Sequence, residues 1–73
     1  MPDEALFEVV GHLNLALAQL SEEQQEAVIL RIEMGFTHDQ IAQALGKPSA
    51  DAARMVVSRA VLRLAAAMRE PDA

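Results

Sequence analysis

Apolar positions recur at helical spacing in four successive stretches of the chain, each separated from the next by polar or conformationally special residues. Leu6, Val10, Leu13, Leu17 and Leu20 form one stripe and predict a first helix over about residues 3–19. Asp3 and Glu4 fall in its first turn, where negative charge complements the helix dipole. Ser21 and Gln24 have the capping-box spacing, so a second helix is predicted over about 22–34, closed by Gly35 in the left-handed conformation. Thr37 and Gln40 repeat the box for a short third helix, about 38–45, ending at Gly46. Pro48 and Ser49 suit the start of the longest helix, about 49–70, which Pro71 stops. Within it Ala53, Val57, Ala60, Val61 and Leu64 share one face. The expected fold class is all-α: one compact four-helix domain over residues 1–73 with a C-terminal helix-turn-helix.

The last two helices carry the functional signal. A short helix, a glycine turn and a longer helix present the longer one to the major groove of DNA while the short one braces it. Ala42 would sit where the two helices cross most closely, Gly46 would permit the turn, and Ile41 and Leu45 would point into the core. Composition supports helix packing, because 52% of the 73 residues are apolar.

Other classes are disfavoured. Phe7 and Phe36 are the only aromatic residues, too few for a base-stacking platform on single strands. The chain has no cysteine, and His12 and His38 stand apart without acids at ligand spacing, so no metal site is expected. Neither a nucleophile motif nor a phosphate-cradling glycine loop is present, so no catalytic residue, cofactor or small-molecule substrate is expected. No signal pattern is visible, and no apolar run approaches the roughly 18 residues that span a bilayer, so a cytoplasmic protein without membrane contact is expected.

A net charge of −5 argues against nucleic acid until its distribution is considered. Residues 1–46 hold eight acids against the single base Arg31, a balance of −7. Residues 47–73 hold Lys47, Arg54, Arg59, Arg63 and Arg69 against three acids, a balance of +2. The basic end is the candidate DNA face.

The ordered set of Leu20-Ser21-Glu22-Glu23-Gln24-Gln25-Glu26-Ala27-Val28-Ile29-Leu30-Arg31, Gly35-Phe36-Thr37, Gln40-Ile41-Ala42, Leu45-Gly46 and Arg59-Ala60 resembles region 4 of bacterial sigma-70 family factors. It is most similar to the extracytoplasmic-function group, and the resemblance spans roughly residues 13 to 68. It implies binding to the minus-35 promoter element through the helix-turn-helix and docking on the flap of the RNA polymerase β subunit. The same surface is often covered by an anti-sigma factor. Carried onto this chain, Arg54, Met55, Ser58 and Arg59 would read base and backbone, and Lys47 and Ser49 would contact phosphate. Arginine can fork onto guanine O6 and N7, whereas a hydroxyl or lysine on phosphate fixes register without reading sequence. Ala50, Ala52, Met55 and Val56 add few donors, and Asp51 repels phosphate unless it accepts from a cytosine amino group, so weak DNA affinity is expected.

Three readings follow. In the first the chain is a promoter-recognition module, and Arg54 and Arg59 favour it. In the second the same fold docks on polymerase or an anti-sigma factor with little DNA binding of its own, which the overall acidity favours. A third, the response-regulator type of helix-turn-helix, fits the alanine-rich final helix less well. Phe7, Val9 and Leu15 lie off the main stripe of the first helix, through core packing, oligomerisation or a docking groove. Glu8, Glu22, Glu26 and Glu33 would favour a basic partner there. Nothing resembles the domain that melts a promoter, so the chain is expected to be a domain of a longer factor or a stand-alone relative.

Overall fold

A computed structural model describes residues 4–69, with side chains described at residue 8 and from residue 11 onward. The described residues form helices joined by short connections, without a strand: α1 (Glu4–Ala18), α2 (Glu22–Val28), a π-helical turn (Ile29–Glu33), α3 (His38–Leu45) and α4 (Ala50–Arg69). Asp3, Glu70 and Pro71 lie outside the described residues, and Leu6, Phe7, Val9 and Val10 outside the described side chains.

Local chemistry explains the boundaries. At α2, Ser21 Oγ accepts from the Gln24 amide at 3.1 Å while Gln24 Oε1 accepts from the Ser21 amide at 3.1 Å. Thr37 and Gln40 make the same reciprocal pair at the start of α3, at 3.2 and 2.8 Å. Each box satisfies two backbone donors that an isolated helix start leaves open. Gly35 and Gly46 have φ of 69° and 71°, the left-handed region that favours glycine.

The second helix does not stay α-helical to its end. From Ile29 to Glu33 it widens into a π-turn, with the Met34 amide donating to Ile29 O at 3.1 Å. The Phe36 amide then donates back to Leu30 O at 2.9 Å, and Arg31 Nη1 donates to Phe36 O at 2.8 Å. These bonds fold the connection under the helix, so that Phe36 packs against the core.

The core forms along α4. Its first half carries Ala53 and Val57 into a cluster with Ala27, Ile41 and Ala42, with Leu30, Phe36, Leu45 and Val56 around it. Farther along, Ala60 meets Leu20 and Val28, with Leu17 and Leu64 packed alongside. Ala27, Ala53 and Ala60 are each wholly buried, and Ile41 is the largest side chain with no exposure. Small residues at these contacts let the helix backbones approach closely. One side-chain amide ties α1 to α2, for Gln25 Nε2 donates to Leu17 O at 2.7 Å and Leu20 O at 3.3 Å. The Leu17 carbonyl, which also accepts from the Leu20 amide at 3.0 Å, and the Leu20 carbonyl just past α1 thus find partners where the helix ends.

Two members of the predicted stripes are not core. Leu13 is 36% exposed although it faces the same side as Leu17, because it lies at an open hollow beside Val28, Ile32 and Leu64. Val61 is 39% exposed because it lies about 70° around α4 from the buried line, at 100° per residue. Conversely Ala16, absent from the predicted stripe, is buried at 1%.

Burial predicts the stability ranking. Ile41→Ala is expected to cost about 2–5 kcal/mol, comparable to the whole stability of so small a domain, and to leave much of the chain unfolded. Leu13→Ala is expected to cost only about 1 kcal/mol. Urea unfolding followed by circular dichroism measures both. Equal losses would mean that the hollow beside Leu13 is closed.

Candidate nucleic-acid interface

The last two helices are joined by a rigid turn. After α3 the chain reverses at Gly46, and the Lys47 amide donates to Ala42 O at 2.8 Å, a bond that closes the helix end. Ser49 then begins α4: its Oγ accepts from the Ala52 amide at 3.1 Å and its carbonyl accepts from the Ala53 amide at 3.2 Å. Ile41, Ala42 and Leu45 of α3 pack on the buried side of α4. The 20 residues of α4 therefore form a rod of about 30 Å braced on one side.

On that rod Ala53, Val57 and Ala60 point inward. Opposite them an exposed line runs through Asp51, Met55 and Leu62. Arg54 and Ser58 stand on one flank of the line, Arg59 and Arg63 on the other, and all four are exposed. At 100° per residue Arg54 and Arg59 diverge by about 140° around the helix. They reach to opposite sides.

Charge pairing qualifies these positions. Arg54 donates from Nη2 and Nε to Asp51 Oδ1 at 3.0 and 3.3 Å, which leaves its Nη1 edge available. Lys47 Nζ lies 2.6 Å from Glu23 Oε2, so the turn before α4 is tethered to the first turn of α2. The ammonium is thereby held by a carboxylate and must exchange it for any phosphate it meets. Arg59 and Arg63 have no ion pair among the described residues. Ser49 Oγ uses an acceptor position in capping, and its hydroxyl proton remains free to donate.

Of the six residues singled out in the sequence, Arg54, Met55, Ser58 and Arg59 thus share the exposed surface of one helix. Ser49 lies at its cap, and Lys47 is turned toward α2. Arg63 was missed. Its spacing of four from Arg59 is the signal that assigns it to the same flank.

A second surface lies on the far side of the core. Leu13, Leu17, Val28, Ile29, Ile32 and Leu64, with Glu33 at the edge, line an apolar hollow of ≈ 110 Å³. It is well below the roughly 300–1,000 Å³ of a small-molecule pocket and nearer the size of one large side chain. Among the described residues no group of three His, Asp or Glu side chains could hold a metal ion. No helix among them is long and apolar enough to cross a membrane.

Residues 12–64 match a family model described as "Sigma-70, region 4". No curated protein matches the chain, and no solved structure does.

The tether at Lys47 yields a test. Glu23→Gln releases the ammonium and removes a negative charge from beside the turn. Its affinity for duplex DNA is expected to rise about two- to fivefold, with at most about 1 kcal/mol of stability lost, since a partly exposed ion pair contributes little. Anisotropy titrations and melting curves check both. Unchanged affinity would remove Lys47 from the interface.

Proposed function

We propose, on the premise that the chain belongs to the sigma-70 region 4 family, that it recognises the minus-35 promoter element through α4. Members of this family bind minus-35 DNA and RNA polymerase in transcription initiation; they are DNA-binding regulatory domains rather than enzymes. The finer reading is a module of the extracytoplasmic-function kind, working in the cytoplasm. There Arg54, Met55, Ser58 and Arg59 meet the groove, and Lys47 and Ser49 lie toward phosphate.

One observation carries this reading: basic side chains occupy both flanks of the exposed face of α4. A helix about 10–12 Å across fills a major groove about 12 Å wide, so flanking side chains meet the two strands while the outermost line meets base edges. Arginines about 140° apart suit two walls better than one base pair. Ser49 and the start of α4 lie where the helix dipole favours phosphate.

The affinity should be modest. About four phosphate contacts give a slope near −3.6 in log affinity against log salt, and the acidic body opposes the rest. Anisotropy against a minus-35-type duplex and a scrambled one, at two salt concentrations, tests the reading. Selective binding that weakens with salt is expected. Arg59→Ala should weaken it more than Arg69→Ala, which lies nearly three turns farther along the helix. Equal losses, or equal binding to both duplexes, would overturn the placement of the reading face.

The apolar hollow favours a second, compatible reading. We propose that Ile29, Ile32 and Leu64 receive an apolar side chain from the β-subunit flap of polymerase, and that an anti-sigma factor competes for the same place. Ile32 is 62% exposed, which favours a role outside the core. Ile32→Glu is expected to abolish binding to an isolated flap fragment while leaving duplex affinity within about twofold, as distant sites are nearly independent. Retained flap binding would locate the docking surface elsewhere.

A further inference from the structure

Met55 sits on the outermost line of α4, one residue past Arg54 and four before Arg59, and is 47% exposed. None of the hydrophobic clusters includes it. Its side chain has no donor and only a weak thioether acceptor. If α4 lies in the major groove, this apolar side chain lies level with the base edges while both arginines lean to the walls.

The groove offers few apolar partners for it. Guanine presents N7 and O6, adenine N7 and an amino group, and cytosine an amino group; thymine alone carries a methyl group at C5. Against Met55, a polar edge would lose water and gain no hydrogen bond, the asymmetry that makes a buried unpaired group expensive. A thymine methyl would instead cover apolar surface with apolar surface. The neighbouring Ala52 adds no donor, and Asp51 Oδ1 is engaged with Arg54; the donors nearest Met55, on Arg54, Ser58 and Arg59, stand on the flanks of the exposed line rather than on it.

We infer that Met55 determines specificity by reading the 5-methyl group of one thymine in the recognised duplex. This rests on the promoter-reading proposal and deepens it: the arginines set orientation, and an apolar contact selects one A·T pair.

Single-atom-group substitution in the DNA tests it directly. The full chain is used to select duplexes from a randomised pool, and each thymine of an enriched site is then replaced singly by deoxyuridine. Removing one methyl group is expected to weaken wild-type binding about fourfold at one position, from about 0.8 kcal/mol per buried methylene-sized group. Met55→Ala should bind the thymine and uracil duplexes equally. Met55→Gln, re-selected from the same pool, should exchange thymine for adenine at that position, since glutamine pairs with adenine N6 and N7. Met55 is not core, so circular dichroism should be unchanged in both variants.

Three results would overturn the inference while leaving promoter reading intact: no thymine sensitive to its methyl group, a sensitivity that persists in Met55→Ala, or loss of all DNA binding by both folded variants. Failure of the wild-type chain to enrich any sequence overturns the promoter-reading proposal, and this inference with it.

Discussion

Everything in the domain depends on the close crossing of α4 over α2 and α3 at alanines. Ala27 and Ala53 are wholly buried in one cluster and Ala60 in the other, so small side chains stand at the contacts and let the helices approach closely. The approach explains how a core forms although Ile41 is the largest wholly buried side chain among the described residues. It also sets the shape. The smallest extent is 14 Å, and much of each helix surface stays exposed. The exposed face of α4 and the open hollow beside Ile32 are both consequences of that thinness.

Electrostatics acts against the same geometry. Among the described residues two of the five bases after Gly46 are engaged by acids: Lys47 by Glu23 of the acidic body and Arg54 by Asp51 on its own helix. Arg59 and Arg63, which have no ion pair among the described residues, are the cations on the other flank of the exposed line. On the promoter-reading proposal, long-range attraction is therefore weak. The Asp51 contact nevertheless restricts the guanidinium of Arg54, so less freedom remains to be lost when it meets DNA. Such pairing trades general affinity for a defined orientation.

The sequence was most legible where the chemistry is local. Both capping boxes and both left-handed glycines depend on residues three or four apart, and those signals correspond to formed hydrogen bonds and backbone angles. Which side of each helix turns inward was also legible, but not how far each position is covered. Leu13 and Val61 belong to apolar stripes yet remain exposed, because cover is supplied by another helix, and its placement is not written in the stripe. Ala16 is the converse: alanine carries too weak an apolar signal to be counted, yet it lies deeper than the leucines around it. The π-turn escaped notice because Ile29–Glu33 has ordinary helix-compatible composition, and its widened hydrogen bonding follows from how Phe36 packs. At the candidate site, helical spacing was enough to bring Arg54, Met55, Ser58 and Arg59 to one surface. The pairing of Lys47 with Glu23 joins residues far apart in the chain, and no local pattern announces it.

On the promoter-reading proposal, an exposed face of α4 poor in donors suits a domain that works beside a second contact. A module bound at once to DNA and polymerase meets its DNA at an effective concentration set by the tether, reaching millimolar for short connections, so it needs little intrinsic affinity. What it must supply is discrimination. For that task general electrostatic attraction is a disadvantage, because phosphate contacts strengthen binding to every sequence alike. An acidic body, cations partly neutralised by carboxylates, and an apolar residue on the outermost line all reduce sequence-independent attraction while leaving base-dependent contacts in place. By this argument the net charge of −5 ceases to count against promoter recognition: it lowers the background against which a few specific contacts are read.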